Sequence, residues 1–408
     1  MANLFDYLDW RGDLPFSAAP LNPVDGILLA RLSYLPFELF SRPLGREAAP
    51  LWEVAAELSA RADFSSRVLR RSDARLLTAM GQSVRFREMT VFHYEQQFDP
   101  ETQTQFSAVS IGLGDGRTYL SFRGTDNTLV GWKEDFNMAF TCPVPAQRSA
   151  LAYLEAVAGE VSGPLLLGGH SKGGNLAVYA AAFCPPALEE RILAAYNFDG
   201  PGFDESVLQT EGYRRVCHKV STFVPQSSIV GMLLGHEEKY TIVHSTQTNG
   251  ILQHSVYTWE VLRDRFSQLE TVTSSSRFID FTLKEWISRM DSHQREAFID
   301  TMYAILTQNN AKTLGELSES PFSTARLVLT SVRHLDEPTR KAVTGAMVAL
   351  IRSTKSGLLQ ILQLQKQTAE QTAKQTSRRT AKRAPRQTAK HTLPFTQRSG
   401  QKHTDQHS

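Results

Sequence analysis

The chain has 408 residues, 41% of them hydrophobic, with a formal net charge of +2; that is ample for one large domain plus a smaller one, or for two ordinary domains. Its longest apolar runs, such as IVGMLL at 229–234, fall far short of the roughly 20 residues that span a bilayer, so no membrane-spanning helix is predicted. The opening MANLFDYLDWRGDLPF carries acids early and has no basic start followed by an apolar core, which argues against a secretory signal and makes a cytoplasmic location the default expectation.

Residues 1–80 read as a helical arm or cap, with Asn22-Pro23 as a turn signal and LLARLSYLPFELF as an amphipathic stretch stopped by Pro43. Next, MTVFHYEQQF, TQTQFSAVSIGL and GRTYLSFRG alternate apolar and polar residues between turn signals at Asp99-Pro100 and Gly114-Asp115-Gly116, predicting three strands in two hairpins. After residue 145 the rhythm becomes helix (QRSALAYLEAVAGEV), strand (PLLLGG), helix (GNLAVYAAAF) and strand (ILAAYNF), with VCHKVSTFV and KYTIVHS as further strands. Such alternation implies an α/β core, here 81–257, with a mixed, mostly parallel sheet and helices on its faces. From Thr258 to Leu364 the pattern is helical, without strand signals. Cys142, Cys184 and Cys217 are odd in number and form no CxxC pair, so neither a disulfide framework nor a zinc site is expected and all three read as small core residues.

The tail from residue 365 has a character of its own. From Lys366 onward it holds ten Lys/Arg against two acids, leaving residues 1–365 with 34 basic and 40 acidic residues. It repeats Gln-Thr-Ala and has almost no large apolar residues, so it cannot bury enough surface to offset its ordering entropy, and disorder is expected. Its charge suits peripheral contact with an anionic surface. With Phe395 its only aromatic, it offers no stacking platform, which argues against nucleic-acid recognition.

The stretch LLLGGHSKGGNLAVYAA at 165–181 places Gly169-His170-Ser171-Lys172-Gly173 between a buried strand and a small-residue helix. Gly-x-Ser-x-Gly at a strand-to-helix turn is the nucleophile elbow pattern: the turn is strained, its flanking positions must be small, and the serine faces a helix N-terminus that favours negative charge. The bland alternative is a glycine-rich turn that only packs. A nucleophilic serine needs a base, which in such sheets follows downstream after a late strand. His254, in NGILQHSVYTWEV, fits. His244 reads as a sheet histidine, His236 lies in a charged loop, and the ring of His170 would point away from Ser171 Oγ. No phosphate-cradling loop or dinucleotide fingerprint appears, so no cofactor is expected.

FRGTD at 122–126 with Trp132 and Asp135, GGHSKGG at 168–174, FDGPGF at 198–203 and the late QHSVYTW together resemble the class-three lipases of the α/β-hydrolase superfamily. LDWRGDLPF, NPVD, LSYLPFE and FVPQSSIVGMLL are more closely similar to the Mbeg-like family of bacterial α/β-hydrolases, over roughly residues 1–260. The resemblance implies an oxyanion hole formed at Thr125 and by the backbone N–H of Lys172. Independently, FRGTD closes a strand with a glycine-permitted turn that leaves N–H groups free, or caps that turn through Thr125 or Asp126. The lipases usually carry an Asp one strand before the histidine loop, where Ser227 and Ser228 stand here. Asp199, after the preceding strand, serves as the acid or as an Asx-type turn residue; Asp204 is a further candidate, and Ser228 or a carbonyl is the fallback for orienting the ring.

Two functional readings follow: a serine hydrolase of acyl ester, thioester or lipid substrates using Ser171, His254 and Asp199, or an inactive hydrolase fold reused for binding. The segment DNTLVGWKEDFNMAFTCPVPAQ is the candidate lid, with Leu129, Val130, Trp132, Phe136 and Phe140 suited to an acyl chain or to ordinary packing.

Overall fold

The computed structural model describes residues 1–304 except 103, 127–128, 139–140, 249, 290–293, 295–297 and 302, and, farther on, 331–333, 335, 337–341, 343–345 and 348. The basic tail lies outside the described residues, as do 305–330 and 349–364.

The helices are α1 (Leu4–Arg11), α2 (Pro23–Leu32), α3 (Leu51–Ala60), α4 (Phe64–Arg67), α5 (Arg71–Gln82), α6 (Leu129–Asn137), α7 (Pro145–Glu160), α8 (Lys172–Phe183), α9 (Pro186–Glu189), α10 (Glu205–Leu208), α11 (Glu211–Val216), α12 (Gly250–Gln253) and α13 (Ser274–Ser288). The strands are β1 (Ala49–Pro50), β2 (Thr90–Asp99), β3 (Thr104–Gly112), β4 (Thr118–Phe122), β5 (Leu165–His170), β6 (Ile192–Phe198), β7 (Val220–Pro225), β8 (Tyr240–Val243), β9 (Val261–Leu262), β10 (Arg265–Phe266) and β11 (Gln268–Leu269). Among the described residues, one sheet runs in the order β1-β2-β3-β4-β5-β6-β7-β8-β11. The block β4 to β8 is parallel and the flanking strands are antiparallel. This is an α/β-hydrolase-like fold, and the two hairpins expected before residue 123 are present as β2-β3-β4.

Because β4 to β8 lie side by side in chain order, each right-handed crossover delivers its helix to the same side of the sheet. On that side α7, α8 and α11 bury Ala150, Leu154, Leu176, Ala180 and Tyr213 against Leu120, Phe122, Leu165 and Leu167. The opposite face is covered mainly by the N-terminal residues, joined by Trp259, Val261 and Phe266. There α1 to α5 pack Leu8, Ile27, Leu28, Val54, Leu77 and Met80 with Tyr119, Leu166, Phe198 and Phe223. Helix α2 anchors this layer: Tyr119 donates to the carbonyl of Gly26 at 2.9 Å, and Ser121 to that of Leu29 at 3.0 Å.

Three expectations are corrected. Asn22-Pro23 is a helix start, with Asn22 as N-cap, Pro23 at N1, and Asp25 closing a capping box. That helix is buried on all sides from Val24 to Leu32 and ends at Leu32, not Pro43, because Pro36 lacks the N–H that would bond the Leu32 carbonyl and its ring would clash there. Cys142 is exposed ahead of α7, while Cys184 is buried and Cys217 half-buried; all three are free thiols. Strand signals also continue past Thr258, since Gln268–Leu269 pairs with β8; two exposed residues are too short a run for periodicity to register. No helix among the described residues is long and apolar enough to cross a membrane.

Candidate active site

Strand β5, buried along its whole length, runs into Ser171, which holds φ 58° and ψ −136° and directly precedes α8. A non-glycine residue in that region is strained and persists only where its surroundings fix it. The motif's glycines are required by contact. A Cβ at Gly169 would fall 2.2 Å from the carbonyl carbon of Gly173, so strand and helix could not close on each other. Ser171 is 8% exposed, and among the described residues its hydroxyl makes no hydrogen bond.

Strand β6 is followed by Asp199, also at positive φ (53°), with its amide bonded to the carbonyl of Phe223 at 2.8 Å. Its buried carboxylate is fully engaged: Oδ1 accepts from Ser228 Oγ at 2.5 Å and from the Gly231 N–H at 3.2 Å, and Oδ2 accepts from His254 Nδ1 at 2.7 Å. His254 follows α12, and its side chain is 21% exposed. With Nδ1 committed to the carboxylate, Nε2 is left as the basic nitrogen. Its ring lies against that of His170, centroids 4.5 Å apart, which places it beside the elbow. Structure thus joins Asp199 to His254 across 55 positions of sequence and leaves Ser171 and His254 without a mutual hydrogen bond.

The loop after β4 is pressed onto the same corner: a Cβ at Gly124 would stand 2.5 Å from the His170 carbonyl oxygen and 3.0 Å from Ser171 Cβ. Thr125 follows, its hydroxyl donating to Asp135 Oδ2 at 2.5 Å. Burial pushes Asp135 up to about 6, against the opposing pull of the Lys172 charge and the Thr125 bond. The Lys172 side chain is buried: Nζ donates to Gln105 O at 2.8 Å, Gln105 Oε1 at 2.9 Å and Glu134 Oε2 at 2.8 Å. Its main-chain N–H is an orphan donor at the first helical position, directly after Ser171. The backbone N–H groups of Thr125 and Lys172 donate to no described residue.

Helix α6, in the segment read as a lid, is fastened by carboxylates. Glu134 takes the Lys172 ammonium and, through Oε1, the Ala146 N–H at 2.9 Å, while Asp135 takes Thr125. Val130 is buried; Phe140 and the side chains of Leu129, Trp132 and Phe136 lie outside the described residues.

The competing residues are engaged elsewhere. Asp204 is the exposed N-cap of α10, accepting the Ser206 N–H. His244 Nδ1 lies 2.8 Å from Glu260. His236 bridges Glu238 Oε1 and the carbonyl of Gly231, each at 2.9 Å. Ser228 bonds the acid, not the ring.

Sequence reasoning missed what lies behind His170. Its Nδ1 is 3.3 Å from Arg31 Nη1 and 3.1 Å from the Tyr34 hydroxyl, and its Nε2 is 2.8 Å from the His254 carbonyl. Arg31 is itself paired with buried Asp73 at 2.7 Å. Strand parity was the available signal: Leu166 faces the N-terminal layer, so His170, four positions on, must face it too.

Among the solved structures similar to this chain are two lipase complexes. One is the Rhizomucor miehei lipase propeptide complex, 13% identical, TM-score 0.32, covering 54% of this chain and 83% of that one. The other is a fungal lipase–inhibitor complex described as a model for interfacial activation, 15% identical, TM-score 0.32, covering 49% and 83%. A comparison with curated proteins gave no match. The Mbeg1-like family model matches residues 80–304, more than half of the chain, and the chain belongs to that family.

Proposed function

We propose that this protein is a serine hydrolase of the lipase/esterase type, cleaving a carboxylic ester or thioester through an acyl-enzyme on Ser171. The 2.7 Å bond from His254 Nδ1 to Asp199 carries the reading, because it fixes the tautomer in which Nε2 accepts a proton. Ser171 Oγ attacks the carbonyl carbon as its proton passes to His254 Nε2. The N–H groups of Thr125 and Lys172 receive the developing oxyanion. Collapse breaks the bond to the alcohol or thiol, which leaves with the proton from His254. Water, deprotonated by the same nitrogen, then releases the acid and restores the serine. Asp199 stabilises the imidazolium without taking the proton. With Glu134 bonded to Lys172 of the elbow and Asp135 to Thr125 of the facing loop, α6 forms a wall of the site.

A fluorophosphonate probe on the full chain, beside Ser171→Ala, tests this. Labelling of the parent alone is expected. Asp199→Asn should lower turnover of p-nitrophenyl esters by about 10⁴-fold with the fold intact, and near-normal turnover removes Asp199 from its role. A second reading, the fold reused for binding, draws on the low exposure of Ser171 and its missing bond to His254. A folded parent that never labels would favour it.

A further inference from the structure

Behind the elbow, two side chains of the N-terminal layer, Arg31 and Tyr34, converge on one imidazole, with Asp73 and Tyr257 behind Arg31. His170 Nε2 lies 2.8 Å from the carbonyl oxygen of His254, an atom that can only accept, so Nε2 carries the hydrogen. His170 Nδ1 faces Arg31 Nη1 at 3.3 Å, a group that can only donate, so Nδ1 is bare. Arg31 cannot turn away, since its Nε and Nη2 are held by Asp73 at 3.0, 2.7 and 2.8 Å, and Asp73 also accepts from Tyr257 at 2.6 Å. The Tyr34 hydroxyl, 3.1 Å from His170 Nδ1 and 3.1 Å from the His170 carbonyl, accepts the Gly124 N–H at 3.1 Å. Three parts of the proposed machinery therefore meet here: the elbow, the main chain of the base, and the turn before Thr125.

We propose that His170 is a positioning residue for His254: held as the neutral Nε2–H tautomer by Arg31 and Tyr34 of the N-terminal layer, it grips the His254 peptide and keeps that ring over Ser171. The inference rests on the hydrolase reading for its catalytic consequence. Protonation would put a cation against Arg31, with Arg70 and His254 also near, and would remove Arg31's acceptor. Burial, His254 and Arg31 accordingly hold the ring well below the usual histidine range.

The test compares His170→Phe, which keeps a ring and deletes the donor, with His170→Gln, whose amide nitrogen restores a donor near Nε2. In the full-length chain, His170→Phe should lower kcat for p-nitrophenyl esters by about 100-fold through displacement of the base, with KM little changed, and His170→Gln should recover most of that loss. Nitrogen-15 spectra of histidine-labelled parent should show His170, assigned by its loss in the variants, as an Nε2–H tautomer that does not titrate through about pH 6.5. Parent-like kcat in His170→Phe, or an Nδ1–H or titrating His170, would overturn the proposal. Should the parent neither label nor turn over, the hydrolase reading falls on its own account. The spectra still decide this one: His254 signals shifted in His170→Phe and restored in His170→Gln support it, and unshifted signals overturn it.

Discussion

The two faces of the sheet are covered by different means. On the crossover face, connectivity does the placing: α7, α8 and α11 are tied at both ends to strands or their loops, and small residues such as Ala177, Ala180 and Ala181 let them pack closely. The N-terminal layer precedes the sheet's parallel strands and is threaded between none of them, so apart from the short β1 pairing with β2 its seat is specified by side chains. Buried ion pairs supply part of that specification: Arg31 with Asp73, and Arg85 with Asp25, whose carboxylate also takes the Tyr7 hydroxyl at 2.8 Å. Directional bonds occur on both faces, as from Gln147 of α7 to Asn175 of α8 at 2.9 Å, but on the crossover face they add to connections that already place the helices, whereas in the N-terminal layer ion pairs between residues far apart in the chain help do the placing.

Breaking one of these pairs is the sharpest test of that contrast. Arg85 donates to Asp25 and to the carbonyls of Leu14, Ala19 and Pro20, so Arg85→Met leaves the buried carboxylate without its cation and takes a donor from three carbonyls. A loss of about 3–5 kcal/mol in chemical unfolding is expected, and a loss under about 1 kcal/mol would show that the layer is seated by apolar contact alone. Next comes a buried acid on the crossover face. Burial alone would raise the Glu238 carboxyl, but bonds from His236, Thr222 and Tyr213 outweigh it and hold it down at about 2 against an ordinary 4.5. A lowered folded pKa contributes stability above the unfolded value and loses it as pH falls through the folded one. The parent should therefore lose up to about 3 kcal/mol more than Glu238→Gln between roughly pH 4.5 and 2; parallel pH profiles would remove Glu238 from the account. The smallest effect belongs to the outer surface of the N-terminal layer. Arg42 and Glu53 pair at 3.2 Å with side chains 40% and 37% exposed, so Arg42→Ala should cost less than about 1 kcal/mol. A larger loss would show that this layer depends on its rim as well as its interior.

The crossover face was legible because its signals are local: a leucine run, a glycine-flanked serine, an alanine helix. Asp199 and His254 could be named from their places after strands, although nothing in the sequence reports that they touch. The opposite layer was harder to read for a physical reason. Asp25, Arg31, Asp73 and Arg85 carry charges that pattern reading assigns to solvent, and only their pairing across 42 and 60 positions takes them inside. Pro36 set the end of α2 by a clash one turn back, which hydropathy does not see. His170 could be placed towards that layer by strand parity, but not its partners.

The family match begins at residue 80, within α5, yet α1 to α4 and most of α5 lie ahead of it. A shortened polypeptide cut at that point would lose the helices packed over Tyr119 and Leu166 while Phe266 still shields Phe198 and Phe223, leaving an oily strip that invites self-association before any chemistry begins. The leading eighty residues are thus a cover that part of the sheet needs, and supplying them in trans as a separate peptide is the natural way to rescue such a fragment.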